Sequence, residues 1–316
     1  MSLAKYFISC DWGTTNFRLR LVETNTLNVL IEHKTNQGIK VLYNEFLNQK
    51  ALNKEAFFAD YLTIQIQNLP VEHQQHLLVI SGMASANIGL HEMDYADMPI
   101  KKGGKSLHWK HLSLPNGLQV LLISGVKSHT GMMRGEEIQA VGLAELLTPY
   151  RTGVLLLPGT HSKHLYYKNS AFVDLKNYMT GELFELLAKK SILANSIIES
   201  KWSDEVELSY QAGIRLGLEG KVSESLFTIR VNDVLFDAKK ENNYYFLSGL
   251  LIGDELSALK KYRGNVFLAA SEAILTLYYK ALTLVVKPEQ IVLFDSKTND
   301  NALLVGQKKI LVQYVS

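Results

Sequence analysis

Three stretches of the chain carry residue types at spacings suited to handling a phosphate group. The first is Asp11-Trp12-Gly13-Thr14-Thr15-Asn16, where a short apolar run delivers an acid, a glycine and two hydroxyls to one bend. Gly13 lacks a side chain, so backbone N–H groups can come close to an anion. Thr14 and Thr15 add hydroxyl donors, and Asp11 can hold a magnesium ion through water. The second stretch is Gly159-Thr160-His161, again a glycine and a hydroxyl directly after an apolar run, with His161 as a further donor. The third is Arg134-Gly135-Glu136-Glu137, where two carboxylates open a helix. A helix N-terminus and a neighbouring guanidinium both favour a charged carboxylate, which suits a group accepting a hydroxyl proton. Each stretch also has a plainer reading: a hairpin turn rich in Asp, Gly and Thr, and two exposed glutamates that merely suit the helix dipole.

The elements that must position these residues follow from hydrophobic periodicity. Tyr6 to Cys10 is an apolar strand. Past the bend, Phe17, Leu19 and Leu21 alternate with Arg18, Arg20 and Val22, so a second strand leaves at period two. Val29 to His33 makes a third. From about residue 45 to 69, Phe46, Leu47, Leu52, Ala56, Phe57, Tyr61, Leu62 and Ile66 recur at helical spacing and predict one helix, closed by Pro70. Leu77 to Ile80 and Val120 to Ser124 are continuous apolar runs, the mark of strands buried on both faces. The first of these ends in Gly82-Met83-Ala84-Ser85-Ala86-Asn87, a small-residue loop that a ligand can approach closely. Residues 91–116 read as a polar excursion, and the helix after Gly135 is carried by Ile138, Val141, Leu143, Leu146 and Leu147.

The second half repeats this order. Val154 to Leu157, the Gly159-Thr160 turn, a strand to Tyr167, a strand over Ala171 to Leu175 and a helix opening at Met179-Thr180-Gly181-Glu182-Leu183 echo the beginning. Helices over about 204–220, 245–259 and 271–284 follow, with strands at Val266 to Ala269 and Ile291 to Phe294 and a last apolar element. The pattern predicts an α/β chain of two similar domains, residues 1–150 and 151–316, hinged near Thr152-Gly153. Two such domains facing each other would put the two turns on opposite walls of one cleft.

Composition narrows the function. The 316 residues are 47% hydrophobic and 20% charged, as in a globular protein of about two domains. A net charge of +2 offers no basic field for nucleic acid, and no apolar run approaches a membrane span. With no signal peptide visible and a single cysteine, the expected setting is the cytoplasm. Cys10, among apolar neighbours, reads as a buried core thiol. Gly104-Lys105-Ser106 mimics the end of a Walker A loop, but Pro99 stands where its first glycine belongs and no buried strand leads in, so it reads as a surface turn. His73/His76 and His161/His164 lack a third ligand at zinc spacing.

As a set, the blocks Asp11-Trp-Gly-Thr-Thr-Asn-x-Arg18, Met133-Arg-Gly-Glu-Glu-x-Gln139, Leu157-Pro-Gly-Thr-His161-x-Lys163, Met179-Thr-Gly-Glu-Leu183 and Ser248-Gly-Leu-Leu-Ile-Gly253 resemble the 2-dehydro-3-deoxygalactonokinase family across essentially the whole chain. The resemblance implies the sugar-kinase branch of the actin, hexokinase and heat-shock ATPase superfamily, with two ribonuclease-H-like domains flanking a nucleotide cleft. It implies phosphorylation of 2-dehydro-3-deoxy-D-galactonate at its 6-hydroxyl, with ATP and Mg²⁺ as cofactors. By motif, Asp11, Gly13, Thr14, Thr15 and Asn16 form the first phosphate turn and metal site, and Gly159, Thr160 and His161 the second. Glu136 is the general base, with Asp11 and Arg134 as its catalytic companions. Gly82, Met83, Ser85 and Asn87, with Arg18 and Glu137, face the sugar acid, for whose carboxylate Arg18 or Arg134 is a bidentate partner. Ser248, Gly249, Ala269 and Ala270 hold the adenosine. There the family carries a glycine before Thr-Ser where this chain has Ala269-Ala270-Ser271, so a methyl group meets the base. Expected partners are a small sugar acid, without nucleic acid or membrane, and the oligomeric state stays open between monomer and homodimer. The rival readings are a kinase for another sugar or sugar acid on the same fold, and a non-catalytic sugar or nucleotide sensor.

Overall fold

The computed structural model of the chain describes residues 3–49 and 53–316. In chain order the strands are β1 (Tyr6–Trp12), β2 (Phe17–Glu23), β3 (Val29–Thr35), β4 (Leu78–Gly82), β5 (Ala96–Asp97), β6 (Trp109–Ser113), β7 (Gln119–Ile123), β8 (Val126–Lys127), β9 (Met132–Met133), β10 (Thr152–Leu157), β11 (Ser162–Lys168), β12 (Ala171–Tyr178), β13 (Asn265–Ala269) and β14 (Ile291–Phe294). The helices are α1 (Ile39–Asn48), α2 (Lys54–Ile66), α3 (Glu136–Leu143), α4 (Thr180–Lys190), α5 (Asp204–Leu218), α6 (Val222–Phe236), α7 (Lys240–Leu256), α8 (Glu272–Leu282) and α9 (Ser296–Val315). The chain divides into two compact units, one of Met1–Arg151, Tyr166–Leu175 and Lys297–Ser316, the other of Thr152–Leu165 and Lys176–Ser296. The last apolar element, read from sequence as part of the second half, is a 20-residue helix that belongs with the first unit.

The first unit is built on a six-stranded sheet in the order β3-β2-β1-β4-β7-β6. β1, β2 and β3 pair antiparallel as two hairpins, while β4 and β7 add parallel to β1. Every residue of β4 is buried, as a continuous apolar run between two covered faces requires. Phe58, Leu62 and Ile66 of α2 join Ile8, Leu19 and Ile80 in one core. Where periodicity predicts one helix over residues 45–69 there are two, and Leu52 lies outside the described residues. The second restarts at Asn53, whose side chain accepts the Glu55 amide at 2.9 Å, a capping interaction that a continuous helix would not need. The polar excursion hides the edge strand β6, which buries one residue of five and so shows little periodicity.

Helix α9 grips the short helix α3. Gly306 lies against the Ile138 carbonyl and Gly142 against the backbone of Ala302, and neither position has room for a Cβ. Lys309 Nζ donates to the Val141 carbonyl at 3.1 Å, and Gln139 donates to Asn299. An eight-residue helix is marginal by itself, so this backbone-to-backbone packing is what holds it.

The second sheet has the order β12-β11-β10-β13-β14, with β13 and β14 parallel to β10. It repeats the order β3-β2-β1-β4-β7, so the ribonuclease-H-like arrangement occurs twice and the two-domain α/β fold is borne out. In the second unit α5 and α7 cross closely, with Gly213 and Gly217 of one and Gly249 and Gly253 of the other set against the partner helix's backbone. Helix α6 has no counterpart in the sequence reading. Only Ser225 and Ile229 are buried on it, while Phe227, Val234, Leu235 and Phe236 are exposed, so it carries no apolar stripe to read.

Candidate active site

In the first unit the expected site residues gather at the carboxyl edge of the parallel strands, where ligands of α/β sheets bind. Asp11 pairs across the sheet with Ser81 and Trp12 with Gly82. The turn between β1 and β2 is closed by Gly13 N–H donating to Asn16 O at 2.9 Å. Its carbonyls point away from solvent into the start of α1. The amides of Gly38, Ile39 and Lys40 donate to Thr15, Gly13 and Thr14 carbonyls at 3.0, 3.0 and 3.1 Å. Thr14, Thr15 and Asn16 are left exposed on the outer side.

Gly38 is the residue that sequence reasoning missed here. Any Cβ on it would overlap the backbone of Thr14 and Thr15. The signal was available as a lone glycine before an apolar helix, but the collision exists only in three dimensions. Trp12 holds the turn from beneath, fully buried between Phe17, Phe58 and Tyr61, with its indole N–H on Gln37 O at 3.2 Å.

Arg18 lies opposite Asp11 in the hairpin register and donates to its Oδ2 at 2.8 Å. Asp11 keeps part of its surface in solvent, and Thr14 and Thr15 of the following turn are exposed. One accessible carboxylate is a donor set suited to Mg²⁺, which keeps most of its waters and takes few protein ligands. No group of three or more His, Cys, Asp or Glu side chains that could hold a metal occurs among the described residues.

Gly82 and Gly135 bring the first and third stretches together. Gly82 has φ +97° and no room for a Cβ, because Trp12 O would lie 2.5 Å away. Gly135, at φ +117° before α3, sits so that a Cβ would be 3.3 Å from Gly82 Cα. Only glycine adopts both conformations cheaply. The loop after Gly82 is then fixed by Arg134. Its guanidinium donates to Ser85 O at 2.6 Å, Ser85 Oγ at 2.7 Å and Met93 O at 3.4 Å, and lies 4.0 Å from the centre of the Tyr95 ring. Arg134 is thereby engaged in shaping the loop that carries Met83 and Asn87, and Ser85 is fully buried. Asn87 is exposed, and its carbonyl accepts from Lys54 Nζ at 2.5 Å.

The two glutamates part company. Glu137 turns into the core with no exposed surface, and both its oxygens accept the Gly135 amide, at 2.9 and 2.7 Å. Burial, and then the neighbouring Glu136, push its carboxyl up to about 8. Glu137, expected to face the substrate, is sealed under the helix start. Glu136 is half-buried at the same helix end, with Oε2 3.3 Å from the Arg134 amide, and is the carboxylate of the pair that can meet a substrate.

The second turn sits at the carboxyl edge of its own sheet, where Leu156 pairs with Leu268 and Ala269 with Phe294. Gly159, Thr160 and His161 are exposed, and a side chain on Gly159 would point into open space. The start of α4 caps this turn. Glu182 N–H donates to Thr160 O at 3.0 Å, and Gly181 lies where a Cβ would be 2.6 Å from Gly159 O. His161 Nε2 meets Glu182 Oε2 at 2.6 Å. Ala269 and Ala270 end β13 beside this turn and are buried, with Ser271 exposed at the start of α8. Gly249 is elsewhere engaged. It faces the Tyr210 carbonyl in the α5–α7 crossing, next to a buried Ser248. Cys10 is buried as expected, and burial pushes its thiol well above the usual range.

The family model for 2-keto-3-deoxy-galactonokinase matches residues 11–304. The probable 2-dehydro-3-deoxygalactonokinase of Rhizobium meliloti (strain 1021) is 27% identical over 294 residues, covering 89% of this chain and 90% of that protein. The 2-dehydro-3-deoxygalactonokinase of Escherichia coli (strain K12) is 27% identical over 284 residues, covering 87% of this chain and 88% of that protein. A crystal structure of a protein assigned as a 2-dehydro-3-deoxygalactonokinase from Sinorhizobium meliloti shares the fold, with a TM-score of 0.78 at 24% identity over 98% of this chain and 97% of the other. With the match running from the first acid of the opening turn into the closing helix, the chain belongs to the 2-keto-3-deoxy-galactonokinase family.

Proposed function

We propose that the chain transfers the γ-phosphoryl group of ATP to the 6-hydroxyl of 2-dehydro-3-deoxy-D-galactonate. The observation that carries this reading is the split between the glutamates: Glu136 accessible at the start of α3 and Glu137 sealed beneath it, just after Gly135, which packs on Gly82 at the sheet edge that carries Asp11. Such transfers depend mostly on positioning and electrostatics. Glu136 accepts the proton of the acceptor hydroxyl as its oxygen attacks the phosphorus. Asp11 holds Mg²⁺ through water, and the ion, when bound, neutralises charge developing on the phosphate oxygens. Within the first unit Thr14 and Thr15 offer donors to a phosphate; within the second, Gly159 and Thr160 do the same, with Ala269-Ala270 beside them to support the adenosine. Arg134 positions the loop carrying Met83 and Asn87, which contacts the sugar acid. Arg18 orients Asp11 and has guanidinium donors left for an anion.

No described helix is long and apolar enough to cross a membrane, and a cytoplasmic setting is part of this reading. The test is coupled ADP release over a panel of 2-keto-3-deoxy acids, aldonates and hexoses. The highest kcat/KM is expected with 2-dehydro-3-deoxy-D-galactonate. A different preferred acid would shift the substrate, and no sugar-dependent ADP release from any of them would sink the kinase reading.

A further inference from the structure

Beneath the second turn lies a buried polar network that the proposed reaction does not use. Glu255 of α7 is 1% exposed and receives hydrogen bonds from three other elements. His164 Nε2 of β11 lies 2.9 Å from Oε1, while Tyr278 OH of α8 donates to Oε2 at 2.7 Å and Thr180 Oγ1, at the start of α4, donates to the same oxygen. Tyr278 OH is also 3.1 Å from Ser162 Oγ. A carboxylate taken out of water persists only when its oxygens are met by donors, so each member of such a network constrains the others.

Two members abut the turn's own supports. Ser162 follows His161 directly and begins the strand leaving the turn. Thr180 precedes Gly181 and Glu182, the residues by which α4 lies on Gly159 and caps Thr160. One carboxylate thus ties down both the strand that leaves the turn and the helix end that caps it.

We propose that Glu255 is a positioning residue for the second turn, holding its exposed N–H groups in the arrangement that takes the nucleotide's phosphate. The inference rests on the reading of Gly159-Thr160 as a phosphate site. Glu255 touches no substrate and acts through Thr180 and the Tyr278–Ser162 pair.

The experiment measures Mg·ADP binding by calorimetry, together with KM for ATP and for the sugar acid, in the wild type and in Glu255→Gln, Thr180→Val and Thr180→Ser. Glu255→Gln is expected to weaken ADP binding and raise the ATP KM by about tenfold, with the acceptor KM within about twofold. Thr180→Val should move the same way, and Thr180→Ser, which keeps the hydroxyl, should restore binding. Unchanged ADP affinity in a folded Glu255→Gln protein, or equal losses for nucleotide and acceptor, would overturn the proposal. If Glu255→Gln does not fold, the threonine pair decides: equal ADP binding by Thr180→Val and Thr180→Ser overturns it. A wild type that binds ADP but phosphorylates no acid removes the substrate reading and leaves this inference standing. A wild type that binds no nucleotide overturns both.

Discussion

The two turns share a design and differ in their foundations. Each follows the central strand of a sheet of the same order, and a helix start takes carbonyls of each: α1 takes three of the first turn's, α4 the Thr160 carbonyl of the second. Each needs a glycine on that helix, Gly38 or Gly181, so that the backbones can meet. Below the first turn lies an aromatic floor of Trp12, Phe17, Phe58 and Tyr61. Below the second lies the network of Glu255, His164, Thr180, Tyr278 and Ser162. What recurs is the satisfaction of a turn carbonyl by a helix start, with the threonines of the turn left exposed. What varies is how the floor is held: aromatic packing tolerates small shifts, while a buried hydrogen-bond network fixes its members closely.

That contrast can be tested from its strongest effect down. Trp12→Ala empties the aromatic floor and should cost about 3–5 kcal/mol in urea unfolding; a loss under about 1 kcal/mol would show that the floor does not hold the turn. Next is the pH dependence set by Glu137. Its carboxyl is raised from 4.5 to about 8 by folding, so between these values the unfolded chain ionises while the folded one stays protonated. Stability should therefore fall as pH rises through that window, by about 3 kcal/mol at pH 7, and level off above 8. In Glu137→Gln the fall should vanish; an unchanged profile would mean Glu137 is not the sealed carboxyl described.

Glu136→Gln should lower kcat by at least about a hundredfold while leaving Mg·ADP binding unchanged. Lost nucleotide binding would merge the roles that the two turns divide, and near-normal turnover with Glu137→Gln inactive would move the base one residue along. The smallest effects come from the helix caps. Gly38→Ala and Gly181→Ala each push a Cβ into turn backbone and should each cost about 1–3 kcal/mol, seen as lowered melting temperatures. Gly159→Ala, open on the protein side, should leave stability nearly unchanged, and a comparable loss there would remove the distinction between cap and turn.

Much of the site was legible before any coordinates. Alternation around Asp11–Arg18 required a hairpin, and the hairpin register does place those two side chains together. Continuous apolar runs marked β4, β7, β10 and β13 because a strand covered on both faces has no polar positions. The spacing of four in Gly213/Gly217 and Gly249/Gly253 was a helix-crossing signal and could have been read as one. Helix α6 and strand β6 could not be read, since each buries too few residues to leave a period.

By itself, the sequence determined the two turns, the repeated element order and the family, because these rest on local periodicity and on residue types at fixed spacing. It could not choose between Glu136 and Glu137, which are chemically identical neighbours. The tertiary structure separates them in burial, because a helical step of about 100° between consecutive residues points one carboxylate into the core and leaves the other within reach of solvent. It also decided that α9 braces α3, that Arg134 is engaged with Ser85 and Met93, and that Glu255 underlies the second turn. Each of these depends on residues distant in the chain meeting at close range, and no local pattern records such a meeting.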